Sequence, residues 1–441
     1  MANFPKIMYY LVAAMRRQYW DRDKLKRYQD KRLRFVIKHA YHSVPFYHEL
    51  FKKNGITPDD IQEIKDLQKI PVVRKEDLKC ESLKRLVSAS FEIRRLKMLR
   101  TSGSTGEPFS FYISRAEDDW RKAIYLRANI ICGQRPRDRW VVITAPHHFF
   151  DTTSIQKRLN VFAQNCISVF MDVEEQANMV VGAKPDVLDG YSGSLFLLAK
   201  EVDKRKLSDV HPRIVFGTAD FVDGNARRYM ENVFQAPFYD QYGCAEVDRT
   251  AWQCPERAGY HMDVDSVIIQ FIDSDGMEVS AGERGEIVYT SLFNYAQPFI
   301  RYSINDVGVP LDEECSCNRR LPLMKIVEGR KDSFLILPDG RLLSPMNFWA
   351  IMHYFEYADE IERFQVVQKK PASIEIYLQT KKGVIAHNNL EKKLVEHIQK
   401  CLRVKESLLD FDMRFVEEIP KDKTGRLRSV ISELPELPHI S

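Results

Sequence analysis

The sequence has few cysteines, no apolar run of membrane-spanning length and almost no net charge, and each shortage excludes a class of protein. Eight cysteines among 441 residues are too few for a disulfide framework, so we expect a reducing, cytoplasmic location. With 66 basic and 62 acidic residues the net charge is only +4, which gives no case for nucleic acid as a partner. Internal repeats and low-complexity tracts are absent as well.

A short apolar stretch occupies residues 7–15. It has about half the length needed to span a bilayer. Arg16 and Arg17 follow it, whereas a signal peptide has its basic residues first. We therefore expect no transmembrane segment and predict a helix that packs on the body of the protein. A weak interfacial contact with a membrane is the alternative.

The order of strand-like and helical patterns predicts the fold class. Between residues 140 and 233 apolar strands alternate with helical periodicity, which predicts a doubly wound α/β body with parallel strands. Such a body binds its ligands at the carboxyl ends of the strands. From about residue 260 the pattern changes to shorter strands and turns, and a last α+β unit begins at about residue 330. Residues 18–53 have helical periodicity, and we expect that helix to close at residues 43–47.

A run of small hydroxyl residues and glycines at residues 101–108 lies between two strand-like segments. Such a loop brings backbone N–H groups and hydroxyls close to an anion, with no bulky side chain in the way, and this predicts phosphate binding. Its spacing is neither that of a Walker A loop nor G-x-G-x-x-G, and a plain turn is the alternative. The candidate phosphate-binding residues are Thr101, Ser102, Gly103, Ser104, Thr105 and Gly106.

This loop resembles the Ser/Thr-Ser-Gly-Thr-Thr-Gly-x-Pro phosphate loop of the adenylate-forming enzymes, the superfamily of acyl-CoA synthetases and amino-acid adenylation domains. Further motifs similar to those of the superfamily follow in the same order. Their details resemble its phenylacetate-CoA ligase, CapK-like branch, which includes the coenzyme F390 synthetases. The resemblance covers nearly the whole chain. It implies a large N-terminal adenylation body, with parallel α/β sheets and a small β-rich part, and a small mobile α+β C-terminal domain.

We place the adenylation body at residues 1–329, with a helical part at 1–95, an α/β core at 96–260 and a β-rich part at 261–329. The mobile domain then occupies the rest of the chain, residues 330–441.

Two motifs resemble the superfamily's adenine and metal contacts. Gly217, Thr218 and Ala219 follow a strand where the family has its adenine-contacting loop, and a plain strand-to-helix turn is the alternative. Residues 239–246 resemble the Tyr-Gly-x-Thr/Ser-Glu motif. There Tyr242 and Gly243 are expected to contact adenine, and Glu246 to hold Mg²⁺ against the phosphates.

This second motif differs from the family pattern at one position, and its glutamate has one alternative role. Ala245 stands where the family has Ser or Thr, so one hydroxyl contact is missing. A surface ion pair with Arg249 is the alternative role of Glu246.

Residues 298–308 resemble the Pro-x-Ile-Arg-Tyr-x-x-x-Asp segment of phenylacetate-CoA ligases. The resemblance implies that Asp306 accepts hydrogen bonds from both ribose hydroxyls, a task for an ionised two-oxygen acceptor. A plain β-turn at Asn305 and Asp306 is the alternative.

Two more motifs concern the C-terminal domain. Residues 329–332 resemble the Gly-Arg-x-Asp hinge motif, which makes Lys331 and Asp332 the hinge candidates and directs Arg330 to ribose or phosphate. Residues 420–430 resemble the segment whose lysine bridges the substrate carboxylate and the α-phosphate. Here that position is Arg426, so either Arg426 is the catalytic cation, or the nearby Lys423 substitutes for it, or adenylation is weak.

Four residues form a candidate metal set. Cys254 and His261 flank a short turn, and Cys315 and Cys317 lie about 55 residues later. Three thiols and one imidazole suit a closed, structural, tetrahedral zinc site. Phenylacetate-CoA ligase-like proteins have a similar Cys…His…Cys-x-Cys pattern. Buried reduced cysteines are the alternative.

The resemblance implies an AMP-forming acid–thiol ligase that uses ATP, Mg²⁺ and coenzyme A. A carboxylic acid, with an aryl acid as the first candidate, would be converted to an acyl adenylate, and the acyl group would be transferred to coenzyme A. We expect no nucleic-acid partner and a monomer or homodimer. Three alternatives stay open: a CapK-like acyl or amide ligase in polysaccharide biosynthesis, adenylyl transfer of the F390 synthetase type, and nucleotide binding without turnover.

Overall fold

The computed structural model describes residues 3–100, 109–146, 149, 152, 154–169, 171, 173–219, 222, 224–328, 335–338, 342–343, 348, 351–352, 355–380, 389–402, 409–419 and 430–434. Within these residues the first ten α-helices are α1 (Phe4–Arg17), α2 (Arg22–Ser43), α3 (Pro45–Lys53), α4 (Lys75–Lys79), α5 (Leu83–Leu86), α6 (Arg115–Ile131), α7 (Ser154–Leu159), α8 (Val173–Ala183), α9 (Ser192–Lys204) and α10 (Gly224–Phe234). A further helix, Leu390–Leu402, lies near the C-terminus.

The described strands are short and numerous. Those of the first part of the chain are β1 (Val73–Arg74), β2 (Lys97–Arg100), β3 (Ser110–Ile113), β4 (Trp140–Thr144), β5 (Gln164–Ser168), β6 (Val187–Tyr191), β7 (Ile214–Thr218), β8 (Phe238–Cys244), β9 (Asp248–Gln253), β10 (Tyr260–Met262), β11 (Val267–Ile272), β12 (Gly285–Ser291), β13 (Tyr302–Leu311) and β14 (Leu323–Glu328). Those that follow are β15 (Leu335–Ile336), β16 (Leu342–Leu343), β17 (Ile361–Lys370), β18 (Ser373–Thr380), β19 (Asp410–Phe415) and β20 (Val430–Ser432).

Contacts divide the chain into two compact units. The first comprises Met1–Ile304 and Gly308–Val327, and the second Asn305–Val307 and Glu328–Ser441.

The helices at the start of the first unit follow from capping and from one proline. Asn3 caps α1 by accepting a hydrogen bond from the Lys6 amide, and the helix buries Ile7 and Leu11. The expectation that the second helix closes at residues 43–47 is only partly right. Pro45 begins α3 directly, because a proline fits the first helical position, where its missing N–H has no partner to lose.

One large sheet organises the first unit. Its strand order is β11-β12-β13-β14-β10-β9-β8-β7-β6-β4-β5, and β1 pairs with β13. Strands β5, β4, β6, β7 and β8 run parallel, and β9 returns antiparallel to β8. The α/β class predicted from the alternating pattern is confirmed, with the parallel strands where the βα alternation lies.

A buried ion network joins α1 and α6 to the segment between β10 and β11. Arg127 on α6 is fully buried and bonds Asp265 at 2.8 Å and Asp263 at 2.5 Å. Arg17, at the end of α1, bonds the other oxygen of Asp265 at 2.8 Å. The apolar stretch at residues 7–15 therefore lies in a helix that packs on the body of the protein. In the described part of the chain no helix combines the length and the apolar character that a membrane span requires.

The second unit is an α+β layer. Strands β19-β18-β17-β20 form its sheet, with β17 and β18 antiparallel and the outer pairs parallel. The helix Leu390–Leu402 covers this sheet, and Leu394 and Ile398 are buried in a common core with Ile374 and Ile376. Strands β15 and β16 form a separate antiparallel pair.

Candidate active site and metal cluster

The carboxyl ends of β7 and β8 lie side by side, with Thr218 opposite Gln241. At Gly217 a β-carbon would lie 2.1 Å from the Phe238 ring, so only glycine fits there. Ala219 follows with a positive φ of 75°, which turns the chain away from the strand. The predicted adenine-contacting residues are thus the last residues of β7 and the first of the turn after it.

Tyr242 and Gly243 lie at the adjacent end of β8. The pairing of β8 with β9 shifts register between them, and a β-carbon on Gly243 would lie 2.2 Å from the Asp248 carbonyl oxygen. The half-buried Tyr242 accepts a hydrogen bond from the Tyr289 hydroxyl at 3.0 Å. This bond and the bulge fix the tyrosine at the strand edge where β7 also ends.

Glu246 lies in the turn between β8 and β9 and is only 4% exposed. Tyr302 donates a hydrogen bond to its carboxylate at 2.8 Å, and Asn294 donates one to its backbone carbonyl at 3.1 Å. Burial and the neighbouring carboxylate both raise the pKa of Tyr302, so the phenol stays protonated and can donate. The site therefore holds an oriented carboxylate in the turn that follows the predicted adenine platform.

The alternative role of Glu246, an ion pair with Arg249, is wrong. Arg249 donates instead to the backbone carbonyls of Ile124 and Tyr125 on α6, and its charge faces Asp263 at 3.6 Å. Its position in β9 directs the side chain to the core rather than to the turn.

Asp306 lies inside β13 and is 7% exposed, so the alternative of a plain β-turn there is wrong. Arg301, in the same motif, donates to the backbone carbonyls of Gln68, Ile70 and Gly276. Burial lowers the pKa of Arg301. The motif arginine therefore ties three segments together.

Cys254, His261, Cys315 and Cys317 form one cluster, with one ligand atom from each and all of these atoms within 4.8 Å of one another. The Cys254 and Cys315 sulfurs are 3.6 Å apart, and the Cys317 sulfur is 3.3 Å from His261 Nε2. The edges of a tetrahedral zinc site are about 3.8 Å between sulfurs and about 3.5 Å from sulfur to nitrogen, from bonds of about 2.3 and 2.05 Å. The donor set and its size suit a tetrahedral metal ion.

The imidazole of this cluster is oriented by a neighbour. Its Nδ1 lies 3.4 Å from the Leu321 carbonyl oxygen, an acceptor that favours a proton on Nδ1 and leaves Nε2 for a ligand. Burial lowers the pKa of His261 to about 4, so the ring is neutral at pH 7.

The other predicted site residues lie outside the described residues. These are Thr101, Ser102, Gly103, Ser104, Thr105 and Gly106 of the phosphate loop, Arg330 as a ribose or phosphate contact, the hinge residues Lys331 and Asp332, and the cations Lys423 and Arg426. The strands that flank the phosphate loop are described and form an antiparallel pair, with Arg100 opposite Ser110.

Four residues of the site were not predicted from the sequence. Tyr302 stands in the motif at residues 298–308, and its position next to Arg301 could have identified it as a site residue. Asn294, Tyr289 and Arg121 stand in no motif, and only the fold brings them to Glu246 and Tyr242.

Comparisons with known proteins agree with the motifs. Residues 335–433 match the family model of the CapK C-terminal domain. The chain is 27% identical to phenylacetate-coenzyme A ligase of Escherichia coli (strain K12) over 327 residues, 71% of this chain and 73% of that one. It is 23% identical to the enzyme of the same name from Thermus thermophilus over 365 residues, 80% of each chain.

Solved structures share the fold. A crystal structure of 2-hydroxyisobutyryl-CoA ligase in the postadenylation state aligns with a TM-score of 0.75 at 20% identity, covering 95% of this chain and 91% of that one. ATP-bound MatB from Rhodopseudomonas palustris aligns with a TM-score of 0.55 at 14% identity, covering 80% and 70%. The resemblance inferred from the motifs is confirmed: this chain has the fold of the adenylate-forming ligases, is similar in sequence to phenylacetate-CoA ligases and matches the CapK C-terminal domain at residues 335–433.

Proposed function

We propose that this protein activates a carboxylic acid with ATP and transfers the acyl group to coenzyme A. In the first step a carboxylate oxygen bonds to the α-phosphorus, the bond to pyrophosphate breaks and an acyl adenylate forms. In the second the thiol sulfur bonds to the acyl carbon, and AMP leaves. An aryl acid is the first candidate substrate, because four relatives at 23–27% identity are named phenylacetate-coenzyme A ligases.

The observation that carries this proposal is the placement of Glu246. Its buried carboxylate, oriented by Tyr302, follows Tyr242 by four residues at the carboxyl edge of the parallel strands, where such folds bind nucleotides. A carboxylate there suits Mg²⁺, which prefers oxygen ligands and neutralises phosphate charge. Tyr242 lies against the adenine, and Asp306 holds the ribose.

The motifs that lie outside the described residues complete the proposal from sequence alone. The loop at residues 101–106 binds the phosphates, and Lys423 or Arg426 places a cation between the acid and the α-phosphate. The C-terminal domain turns at Lys331 and Asp332 between the two steps, and Arg330 reaches ribose or phosphate.

We also propose that the cluster of Cys254, His261, Cys315 and Cys317 holds structural zinc. With four protein ligands the coordination would be complete, so the ion would stabilise the fold and take no part in the reaction. The short distances among the three sulfurs and the imidazole nitrogen support this assignment. The ion would join the β9–β10 turn to the segment before β14.

A second candidate function differs in the acceptor. The match of residues 335–433 is to the CapK C-terminal domain. Since that domain takes part in the second step in this superfamily, an amine or a sugar is an alternative acceptor to coenzyme A. Adenylyl transfer to a hydroxyl and nucleotide binding without turnover are the remaining alternatives.

ATP–pyrophosphate exchange tests the proposal. Purified protein with Mg²⁺ is assayed against aryl, fatty and amino acids, and AMP release is then measured with and without coenzyme A. We expect exchange that depends on one class of acid and AMP release that depends on coenzyme A. Exchange without coenzyme A-dependent AMP release would favour another acceptor. ATP binding without exchange for any acid would contradict the ligase activity.

A further inference from the structure

Arg121 on α6 contacts the turn that carries Glu246. Its guanidinium donates hydrogen bonds to the backbone carbonyl oxygens of Ala245 at 2.9 Å and Glu246 at 2.6 Å. The Arg121 side chain is only 11% exposed. Because Asn294 donates to the same Glu246 carbonyl, the backbone of this turn is held from two sides.

Arg121 is itself held in place. It forms an ion pair at 2.9 Å with Glu117, one turn earlier on α6, whose side chain is 1% exposed. Burial raises the pKa of Glu117, and the Arg121 charge is the largest effect that opposes this rise. The guanidinium also lies 5.7 Å from the centre of the Phe111 ring on β3, the strand that leaves the loop at residues 101–108.

We infer that Arg121, fixed by Glu117, is a positioning residue for Glu246 in the adenylation step. The inference rests on the proposed role of Glu246 toward Mg·ATP. A planar guanidinium spreads its donors over three nitrogens in fixed directions and so reaches two carbonyl oxygens and one carboxylate, whereas an ammonium has its three donors on one nitrogen. Arg121 therefore fixes the backbone from which the Glu246 carboxylate projects, while Tyr302 fixes the carboxylate itself. Misplacement of such a group by about 1 Å can cost a hundredfold in rate.

The fold supplies a matched control at the next position of the same helix. Lys122 forms an ion pair at 2.6 Å with Asp118, again one turn earlier, and its side chain is 13% exposed. Loss of that pair removes similar helix stabilisation without touching the turn at residues 245–247.

The test measures dissociation constants of Mg·ATP and of ATP in chelator, and the rate of acid-dependent exchange. For Arg121→Lys and Arg121→Met we expect Mg·ATP binding to weaken about tenfold, with metal-free ATP changed less than twofold. Lys122→Met should bind both like the wild type. Arg121→Lys keeps the buried charge, so it serves if Arg121→Met does not fold.

A double-mutant cycle separates positioning from general structure. If Arg121 acts through Glu246, then Arg121→Lys should have almost no further effect on Mg·ATP binding in Glu246→Gln protein. Full additivity, or wild-type Mg·ATP binding by both Arg121 variants, would overturn the inference while leaving the proposed function intact. A wild-type protein that binds no Mg·ATP would instead remove the proposed function and this inference with it.

Discussion

Replacement of Arg127 by methionine should destabilise the first unit severely. Arg127 is fully buried and neutralises Asp263 and Asp265, which are fully buried too. Methionine fills most of the volume but leaves two carboxylates with only Arg17 and the more distant Arg249 as cations. Breaking a buried pair by removal of one partner costs about 3–5 kcal/mol. The unfolding entropy is about 2.1 cal/mol/K per residue, so the 324 residues of the first unit give a shift of about 1.5 °C per kcal/mol, and the thermal midpoint should fall by roughly 4–7 °C.

The assay is thermal unfolding at a fixed heating rate, followed by tryptophan fluorescence. Trp252 is a suitable probe because its indole N–H donates to Asp263 at 2.8 Å. Arg139→Met is the matched control. It also breaks an arginine–aspartate pair, with Asp186, but the Arg139 side chain is 53% exposed, so the loss should be about 0–1 kcal/mol. Equal midpoints for the two variants would refute the argument that burial decides the cost.

Three further predictions concern the site, the cluster and one buried acid. In steady-state kinetics, Glu246→Gln should lower kcat/KM for Mg·ATP by at least about a hundredfold, since it removes the carboxylate charge. Tyr302→Phe should lower it by about tenfold, since it removes only the hydrogen bond that orients the carboxylate. Equal losses in the two variants would contradict this difference. Cys315→Ser should lower both the amount of bound zinc, measured by metal analysis, and the thermal midpoint of unfolding. Wild-type protein that is purified without chelator and contains no zinc would contradict the zinc site. Burial raises the pKa of Asp189 from 3.8 to about 6, so its stabilising contribution is complete below about pH 4 and is lost as the pH rises through 6. That loss is about 3 kcal/mol at 1.36 kcal/mol per pH unit, and Asp189→Asn should remove it from the pH dependence of the unfolding free energy; parallel curves would contradict this.

Local patterns predicted much of the fold. The strand at Trp140–Thr144 and the β-strand Val267–Ile272 have the bounds that the apolar runs indicate, because both strands are bounded by turns and are almost entirely buried. Pro45 was misjudged, since a proline that ends one helix and a proline that begins the next look alike in sequence.

The candidate site, like the fold, could be predicted from local patterns only in part. Glu246 and the Cys/His set stand in recognisable motifs, whereas Arg121 is an ordinary helix residue in sequence. Its partners Ala245 and Glu246 lie 124 and 125 residues further along the chain, beyond the reach of any local pattern. The alternative that paired Arg249 with Glu246 is wrong for the same reason, because the contacts of Arg249 with α6 are equally distant in sequence.

The bond between Arg17 and Asp265 spans 248 residues of sequence. At a synthesis rate of about 5–20 residues per second, roughly 12–50 s separate the appearance of these two residues on the ribosome. During that interval α1 and α6 can already pair through Ile7, Leu11 and their neighbours, but the guanidiniums of Arg17 and Arg127 have no carboxylate to meet. Closure of the ion network is therefore a late event in biogenesis. For roughly the last 7–27 s of that interval, after Arg127 has been made and before Asp263 follows 136 residues later, the nascent N-terminal half has two cations in what later becomes its interior.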